Sequence, residues 1–396
     1  MESIEQMIKR LCPKGVEYVK LGEVCEIMRG KRLTKKELFE DAKFKVFHGG
    51  LSPIGYYTKS NRQAQTVMII NVGASAGTVG FCEEEFWSSD GCFCLSHNDS
   101  VIHPKYLYYY LAKHQISIQS RVRKAGIPTL DAGAVMDILI PLPPLEIQSR
   151  IVEVLDKMTT LTAELEAELE AELEARKQQY EYYRNKLLTF SAIGGGNRQV
   201  TWKKISEIGT VMRGTSFQKK HFTDEGTPCI HYGQIYTQYA HHVYETISFV
   251  GDEISRSPRR AKTGALVMAT TSENIDDVGK CIVWLGEEDV IVSNDACFIQ
   301  HNLNPKYLGY LLQTESFSTY KKKVATGTKV IRINADAVAD FVIPVPSMEE
   351  QSRIVSILDR FEALTTDLKS GLPAEIEARR QQYEYYRDKL LTFEAV

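Results

Sequence analysis

The 396-residue sequence lacks the features of several classes of protein. Its apolar runs, such as VMII at 67–70, are far shorter than the roughly 20 residues that cross a bilayer, and its start has no secretory signal. The 8 cysteines include no CxxC pair, which excludes the usual zinc spacing. We therefore expect a cytoplasmic protein with no membrane contact, no metal site and buried free thiols. A zinc site at Cys92 and Cys94 is the weaker alternative.

Sequence motifs for catalysis are also missing. There is no HExxH, no GxSxG and no NPPY-like segment of the kind found near methyl-donor sites. The glycine-rich segment NVGASAGTVG at 71–80 lacks both the GK[ST] ending and the GxGxxG spacing of nucleotide loops, so we expect a tight turn between strands there. These absences indicate that the chain itself performs no chemistry.

Composition and length indicate a folded protein of at least two domains, with 43% apolar and 25% charged residues. The net charge is −3, but residues 146–190 carry −4 and residues 349–393 carry −2. The rest of the chain is therefore mildly basic, at +3. A nucleic-acid partner remains compatible with this distribution.

The sequence contains two copies of one pattern. QSRIV recurs at 148–152 and 351–355, and QQYEYYR recurs at 178–184 and 381–387, both with an offset of 203 residues. Weaker matches precede them, including Met-Arg-Gly at 28–30 and 212–214, and SDGCF at 89–93 with NDACF at 294–298, which aligns Cys92 with Cys297. Each copy indicates a variable α/β domain followed by a nearly invariant helix.

We predict an α/β (α+β) fold with two similar globular domains separated by two long helices, related by a pseudo-two-fold internal repeat. The predicted boundaries are a first domain with an N-terminal helix at 1–145, a first helix at 146–190, a linker at 191–199, a second domain at 200–347 and a second helix at 348–396. The linker contains GGGN at 194–197, a composition typical of flexible joints.

Apolar residues of both helices follow a heptad seam with one stutter, which falls inside AELEAELEAELE at 163–174. Each helix of about 45 residues would be roughly 67 Å long and needs a partner for its apolar stripe. A short linker favours an antiparallel coiled coil. Gly371 and Pro373 predict a break in the second helix.

Basic loops recur after both Met-Arg-Gly segments and are mixed with residues able to read base edges or stack on bases. Any single cluster is adequately explained as solvated surface, but the recurrence favours DNA binding. The predicted DNA-binding residues are Arg29, Lys31, Arg32, His48, Tyr57, Arg121, Arg123, Lys124, Arg213, Lys219, Lys220, His231, Tyr232, Gln234, Arg259, Arg260, Lys321, Lys322 and Lys329.

The QQYEYYR blocks present tyrosines and an arginine at identical sites twice, as one kind of partner bound twice would require. The predicted docking residues are Tyr180, Tyr183, Arg184, Tyr383, Tyr386 and Arg387. A purely intramolecular helix core is the alternative.

Two variable domains alternating with helices that carry QSRIV and QQYEYYR–KLLTF blocks resemble the specificity subunit of type I restriction-modification systems. The resemblance covers nearly the whole chain. It implies two target-recognition domains that each read half of a split double-stranded DNA site, and helices that dock two methyltransferase subunits. Restriction subunits join that complex. S-adenosylmethionine, ATP and Mg²⁺ are then bound by the partners, and this chain has no cofactor.

Two other functions remain open from the residues alone. One is a self-contained DNA methyltransferase or nuclease fused to its reader, and the other is a coiled-coil scaffold that binds acidic proteins through its basic loops. The repeated AELE segment is either a solvated helix face or, under the resemblance, a ruler. One copy is about 6 Å of helix and would set the gap between two DNA half-sites.

Overall fold

The computed structural model describes residues 2–190, 200–256, 259–366 and 371–396, apart from the side chains of residues 252 and 366. The chain forms two compact units. The first contains residues 1–168 and 376–396, and the second contains residues 169–375. Each unit therefore combines one α/β domain with parts of the helical segments. The predicted linker at 191–199, with its GGGN, lies outside the described residues.

The first α/β domain and its helix contain fifteen named elements among the described residues. They are α1 (Ile4–Leu11), β1 (Tyr18–Lys20), α2 (Leu21–Val24), β2 (Cys25–Arg29), β3 (Phe44–Phe47), β4 (Gly55–Tyr57), β5 (Thr66–Ile70), β6 (Val79–Cys82), β7 (Trp87–Ser88), β8 (Cys92–His97), α3 (Pro104–Lys113), α4 (Gln115–Ser120), α5 (Ala132–Met136), β9 (Leu139–Pro141) and α6 (Leu145–Leu188), with a 3₁₀ helix at Lys35–Glu37.

The first domain is built on an antiparallel sheet of order β2-β8-β5-β6. A smaller sheet of order β4-β3-β7 lies beside it, with β3 and β7 parallel. Strand β5 reads TVMII and is buried at every residue, because both of its faces are covered. A β1-β9 ladder brings the start of the domain to its end.

The second domain repeats this order with more elements. They are β10 (Thr201–Lys204), α7 (Ile205–Ile208), β11 (Gly209–Arg213), β12 (Phe222–Thr223), β13 (Thr227–Ile230), α8 (Tyr232–Thr237), β14 (His242–Val243), β15 (Ser248–Val250), α9 (Asp252–Ser255), β16 (Leu266–Ala269), β17 (Thr271–Ser272), β18 (Cys281–Trp284), β19 (Ile291–Val292), β20 (Ala296–His301), α10 (Pro305–Leu311), α11 (Glu315–Val324), β21 (Ile331–Arg332), α12 (Ala335–Asp340), β22 (Val342–Val345), α13 (Met348–Thr366) and α14 (Leu372–Leu390), with a 3₁₀ helix at Lys219–His221.

The main sheet of the second domain has the order β11-β20-β16-β18-β14, and a second sheet has the order β12-β15-β13-β19. Ladders β10-β22 and β17-β21 complete the domain. The core strands β16, β18 and β20 correspond in order to β5, β6 and β8 of the first domain. The mixed α/β class and the internal repeat predicted from the sequence are confirmed.

Strand register corrects the alignment of Cys92 with Cys297. The arginine of each Met-Arg-Gly segment pairs with a residue of the neighbouring strand. Arg29 pairs with Phe93 of β8, and Arg213 pairs with Cys297 of β20. Phe93 and Cys297 both pack in the core that faces the helices, whereas Cys92 packs on the opposite face of its sheet. The two SDGCF-like segments are therefore shifted by one residue in space, which reverses the face of every side chain. All eight thiols are free, and all except Cys12 are buried.

The glutamine of each QSRIV block fastens the helix to its domain. Gln148 is fully buried, accepts from His103 N at 2.8 Å and donates to Pro143 O at 2.7 Å. In the second unit Gln351 accepts from Asn304 N at 2.9 Å and donates to Pro346 O at 2.9 Å. A buried amide that satisfies backbone groups at both of its ends explains why this segment recurs.

Helix α6 is continuous over 44 residues and includes all three AELE words. In the first unit its Thr159 lies 2.9 Å from Tyr383 of α14, and its Glu166 lies 3.1 Å from Arg380. The partner number falls as the α6 number rises, so the two helices are antiparallel. Leu169 is buried in the seam, and the glutamates of the repeated word are exposed apart from the half-buried Glu166.

The second helical segment consists of two helices in the described residues. Helix α13 ends at Thr366, and α14 begins at Leu372, directly after Gly371 and with Pro373 in its first turn. Proline is tolerated there because the first turn has no intrahelical acceptor for its missing N–H. Residues 367–370 lie outside the described residues.

The last residues of the chain complete the first unit. Leu391 and Phe393 are buried in its core, and the Tyr18 hydroxyl donates to Phe393 O at 3.2 Å. Val16 N donates to Glu394 O at 2.8 Å, which begins a short bridge between the two ends of the chain. Gly15 has a φ of +104°, and any Cβ there would lie 2.9 Å from the backbone of Ala395.

Candidate nucleic-acid interface

Both Met-Arg-Gly turns are pressed against a neighbouring turn. A Cβ on Gly30 would lie 2.1 Å from Ser88 O and 2.2 Å from Ser89 O. A Cβ on Gly214 would lie 2.1 Å from Ser293 O. Only glycine permits this backbone approach. The following residue is then fixed by a hydrogen bond, from Lys31 N to Ser88 O at 3.0 Å in the first domain.

Exposed cations follow the first turn. Arg29 extends over the Phe93 ring at 5.7 Å, and Lys31 and Arg32 are exposed. In the described part of the chain, no carboxylate forms an ion pair with any of these three. Their positive charge is therefore left for an external anion, as a phosphate-binding surface requires.

Arg62 is a member of this surface that the sequence reasoning missed. Its Nη2 donates to Arg29 O at 2.8 Å, and its Nη1 donates to Asn61 O at 2.6 Å. In the second domain Arg259 Nη1 reaches Arg213 O at 3.4 Å. In each domain, an arginine from the segment before a central strand thus donates to the backbone carbonyl of the Met-Arg-Gly arginine. The only signal for Arg62 in the sequence is a single basic residue ahead of β5, whereas Arg259 belongs to a basic cluster ahead of β16.

His48 and Arg32 line one groove of about 980 Å³ in the first domain, together with Lys35 and the aromatic Phe39 and Tyr56. His48 Nδ1 lies 3.1 Å from Ser89 Oγ. The groove also contains one acid, Glu40, and its cations and aromatic rings suit a nucleotide edge.

Other predicted contacts of the first domain are dispersed. The Tyr57 ring packs edge-on against Trp87 at 4.9 Å. Arg121, Arg123 and Lys124 are exposed in the loop after α4. Arg121 Nη1 donates to Ala134 O at 2.7 Å, and Arg123 forms a long ion pair of 3.8 Å with Asp131.

The second domain exposes Arg213, Lys219 and Lys220 after its Met-Arg-Gly turn, and Arg259 near them. Lys322 and Lys329 are also exposed. Arg260 is half-buried and donates to Ser255 O at 2.5 Å. The half-buried Tyr232 packs on the His231 ring at 4.6 Å.

Three predicted DNA contacts are corrected by the structure, because their polar atoms are used inside the second domain. His231 caps α8 by accepting from Gly233 N at 3.2 Å. Gln234 accepts from His231 N at 2.9 Å and donates to Ser248 Oγ at 2.7 Å. Lys321 donates to Asp276 O at 2.8 Å and to Val278 O at 3.0 Å. All three are buried, and burial lowers the pKa of both His231 and Lys321.

The QQYEYYR blocks divide into inward and outward residues. Tyr180 is half-buried, and burial raises its pKa to about 12. Arg184 lies over the Tyr180 ring at 5.2 Å and donates to Gln313 at 3.3 Å. In the other copy Tyr383 bonds Thr159, and Arg387 lies over the Tyr383 ring at 6.0 Å. Tyr180, Arg184 and Tyr383 therefore also hold their helices within their own units, whereas Arg387 contacts Tyr383 and Asp388 of its own helix.

Two pairs of adjacent tyrosines with the same geometry are partly exposed, although Tyr183 also stacks on Phe361 of α13 with ring centroids 5.7 Å apart. Tyr182 and Tyr183 are 59% and 37% exposed, and Tyr385 and Tyr386 are 64% and 44% exposed. Each pair packs edge-on at 5.3 Å, with interplanar angles of 75° and 73°. Tyr182 and Tyr385 were not among the docking residues predicted from the sequence, although both lie outside the predicted heptad seam and should therefore face away from it.

The chain matches a known family over most of its length. The family model of the type I restriction modification DNA specificity domain matches residues 13–175 and 197–378. The chain belongs to this family. It is 29% identical to the EcoR124I/EcoR124II specificity subunit of Escherichia coli, over 99% of this chain and 98% of that protein. It is 28% identical to a putative type I restriction enzyme specificity subunit of Haemophilus influenzae, over 96% of each chain.

Solved structures support the fold of this specificity subunit. A chain from a type I restriction-modification system has a TM-score of 0.71 at 18% identity, covering 96% of this chain and 98% of that one. The HsdS subunit from Thermoanaerobacter tengcongensis has a TM-score of 0.57 at 19% identity, covering 96% of this chain and 97% of that one.

Family membership gives the function in general terms. The chain is a non-catalytic, DNA-recognition subunit of a type I restriction-modification system. Specificity subunits match the chain over 99% and 96% of its length. Among the residues that the structure describes, every helix is too short or too polar to cross a membrane.

Three side chains of the specificity subunit lie close enough together to hold a metal ion. Ligand atoms of His242, Asp359 and Glu362 lie within 4.8 Å of one another. Lys306 Nζ already lies 2.8 Å from Asp359 Oδ2, and the Tyr310 hydroxyl lies 2.6 Å from an oxygen of each acid. Asp359 is therefore already paired with the Lys306 ammonium, and the Tyr310 hydroxyl contacts both acids, so we assign no metal to this group.

Proposed function

We propose that the two α/β domains are target-recognition domains, each of which reads one half of a split double-stranded DNA site. The helices dock two methyltransferase subunits, and restriction subunits join that complex. S-adenosylmethionine, ATP and Mg²⁺ are bound by those partners and not by this chain. The complex acts in the cytoplasm.

Duplication of the Met-Arg-Gly turn with exposed cations is the observation that carries this proposal. Arg29, Lys31 and Arg32 follow the turn in one domain, and Arg213 and Lys219 follow it in the other. Cations held by rigid backbone suit phosphates at fixed positions, which set the register of a protein on DNA. Two such turns in one chain suit two half-sites.

Base reading falls to the polar and aromatic residues near each turn. His48, Tyr57 and Tyr232 are partly exposed beside the cations, whereas His231 and Gln234 act as helix caps. Arg121, Arg123, Lys124, Arg259, Arg260, Lys322 and Lys329 extend the phosphate-binding surface. Binding should therefore weaken steeply as salt rises, because each phosphate contact releases counterions.

The test is to map methylated bases in DNA treated with the chain and its methyltransferase subunits. We expect a motif of two half-sites separated by a fixed gap. The chain alone, given labelled methyl donor, should transfer no methyl group. An unsplit motif would contradict the two-domain proposal, and transfer by the lone chain would contradict its non-catalytic role.

The two outward tyrosine pairs supply the proposed docking surface for the methyltransferase subunits. Tyrosine buries a large rigid area on binding and still offers a hydroxyl, which makes it a frequent anchor of interfaces. The identical geometry of both pairs suits two copies of the same partner.

Replacing Tyr182 and Tyr385 by alanine should weaken methyltransferase binding at least tenfold, because exposed aromatic anchors are lost without disturbing a core. Either single variant should retain one methyltransferase per chain. The measurement is the stoichiometry and affinity of the assembled complex.

Tyr244→Ala is the matched control for these variants, since Tyr244 is also a largely exposed tyrosine, 60% exposed, but lies in the second α/β domain. It should bind the methyltransferase like the unaltered chain. Unchanged assembly in the Tyr182 and Tyr385 double variant would remove the pairs from the docking surface.

A further inference from the structure

A hydrogen-bonded cluster ties the second α/β domain to α13. Lys306 and Tyr310 belong to α10, and Asp359 and Glu362 belong to α13. The Tyr310 hydroxyl lies 2.6 Å from Asp359 Oδ1 and 2.6 Å from Glu362 Oε2. Lys306 Nζ lies 2.8 Å from Asp359 Oδ2.

This geometry requires one proton more than the tyrosine can supply. A tyrosine hydroxyl carries a single proton, and an ionised carboxylate only accepts hydrogen bonds. With both acids ionised, one of the two short contacts would bring two acceptors together. One acid must therefore be protonated and donate to the Tyr310 oxygen. Asp359 is the carboxylate that the Lys306 ammonium contacts, which leaves Glu362 as the acid that carries the proton.

The first unit contains the same cluster without this extra acid. Lys105 Nζ lies 3.0 Å from Asp156 Oδ2, and the Tyr109 hydroxyl donates to Asp156 Oδ1 at 2.7 Å. Thr159 occupies the position 203 residues before Glu362, and its hydroxyl lies 3.4 Å from the Tyr109 oxygen. A threonine hydroxyl carries its proton at every pH at which the protein folds. Glu362 can therefore donate a hydrogen bond to Tyr310, as the Thr159 hydroxyl can to Tyr109, only while it is protonated.

The surroundings favour the neutral acid. Burial raises the pKa of Glu362, and the neighbouring charge of Asp359 raises it further, against the opposing effects of Tyr310 and Lys306. Burial lowers the pKa of His242 to about 4 and that of His241 to about 3, so neither ring is charged near neutral pH. Among the described residues, the titratable and charged groups around Glu362 include Tyr180 and Arg184 of α6, His241 and His242 at β14, Lys306 and Tyr310 of α10, and Asp359 of α13.

We propose that Glu362 carries a proton that fastens α13 to the second α/β domain, and that loss of this proton as the pH rises loosens that junction in the second unit alone. The first unit is insensitive, because Thr159 takes the place of the acid. The chain thus contains a pH-sensitive junction and, in its other half, a natural control.

The direction of the effect follows from the two protonation states. The folded pKa of Glu362 lies above its ordinary value of 4.5, so its contribution is complete below that value and is lost as the pH rises through the folded pKa. His241 and His242 act oppositely, since their folded pKa values lie below 6.5 and their contribution is lost as the pH falls. A comparison of variants that share both histidines removes the histidine effect.

The experiment measures thermal unfolding of the full-length chain from about pH 5 to about pH 9. The variants are Glu362→Thr, which installs the residue of the first copy, and Glu362→Gln, whose amide is a permanent donor. We expect the thermal unfolding midpoint of both variants to rise relative to that of the unaltered chain as the pH increases. Thr159→Glu should give the first unit a new loss of stability at high pH. Parallel pH profiles for all four proteins would overturn the proposal.

A second measurement does not depend on how well the variants fold. Infrared spectra of the unaltered chain at neutral pH should contain a carbonyl band of a protonated carboxyl group that disappears at alkaline pH. That band should be absent from Glu362→Gln. Its persistence in that variant, or its absence from the unaltered chain, would overturn the proposal.

Discussion

Deleting residues 167–170, one AELE word, is expected to shorten the gap between the two methylated half-sites by one or two base pairs and to leave both half-site sequences unchanged. Four residues are about 6 Å of helix, and successive base pairs are about 3.4 Å apart along DNA. Helix α6 is continuous through this segment, so the deletion removes about one turn from an unbroken helix. Methylated-base mapping of the variant complex measures the gap.

Four residues also turn the helix by only about 40° beyond one full turn, so the seam can realign as a stutter. The control keeps the length and changes only the charge. Glu168→Gln with Glu170→Gln, both at exposed positions, should leave the gap unaltered. If the deletion also leaves the gap unaltered, the repeated word is a solvated helix face and does not set spacing.

Gly30→Ala is expected to weaken recognition of one half-site while the other is still read. The new Cβ would lie 2.1 Å and 2.2 Å from two carbonyl oxygens that cannot easily withdraw. Ser89 N is bonded to Phe47 O at 2.9 Å, and Asn61 bonds both the N–H and the carbonyl of Ser88. Overpacking of this kind costs roughly 1–3 kcal/mol. The turn that carries Arg29 should shift, and affinity for that half-site should fall at least tenfold.

Gly214→Ala should have the same effect on the other half-site, since its Cβ would meet Ser293 O at 2.1 Å. Gly133→Ala is the matched control, because no heavy atom lies within 4 Å of a Cβ there. Binding of the assembled complex to DNA with one half-site altered at a time gives the readout. Equal affinities for Gly30→Ala and Gly133→Ala would show that the turn is not part of the DNA interface.

Much of the architecture was predictable because the two copies of the repeat can be aligned with each other. Two copies at a constant offset of 203 residues predict two domains and two helices without any knowledge of contacts. The break at Gly371 and Pro373 was predictable from backbone chemistry alone. Strand register was not, because the alignment of Cys92 with Cys297 rested on letters, whereas pairing is decided by which face of the sheet is buried.

Candidate site residues were less predictable, because burial of a single side chain depends on its neighbours in space. Lys321 belongs to a run of three lysines, but it lies four residues after the buried Phe317 on α11 and shares its face. His231 and Gln234 have the three-residue spacing of a capping pair, which competes with base reading for the same polar atoms. Arg62 could be assigned to the cationic surface only from its hydrogen bond to the Arg29 carbonyl in the structure.

The bridge between Val16 and the end of the chain has a consequence for synthesis on the ribosome. Residues 376–396 belong to the first unit, together with residues 1–168. The first α/β domain therefore cannot complete its core until Leu391 and Phe393 have been translated. The second unit, residues 169–375, is complete in sequence before that point. The first unit thus begins earlier in the sequence than the second but is completed after it.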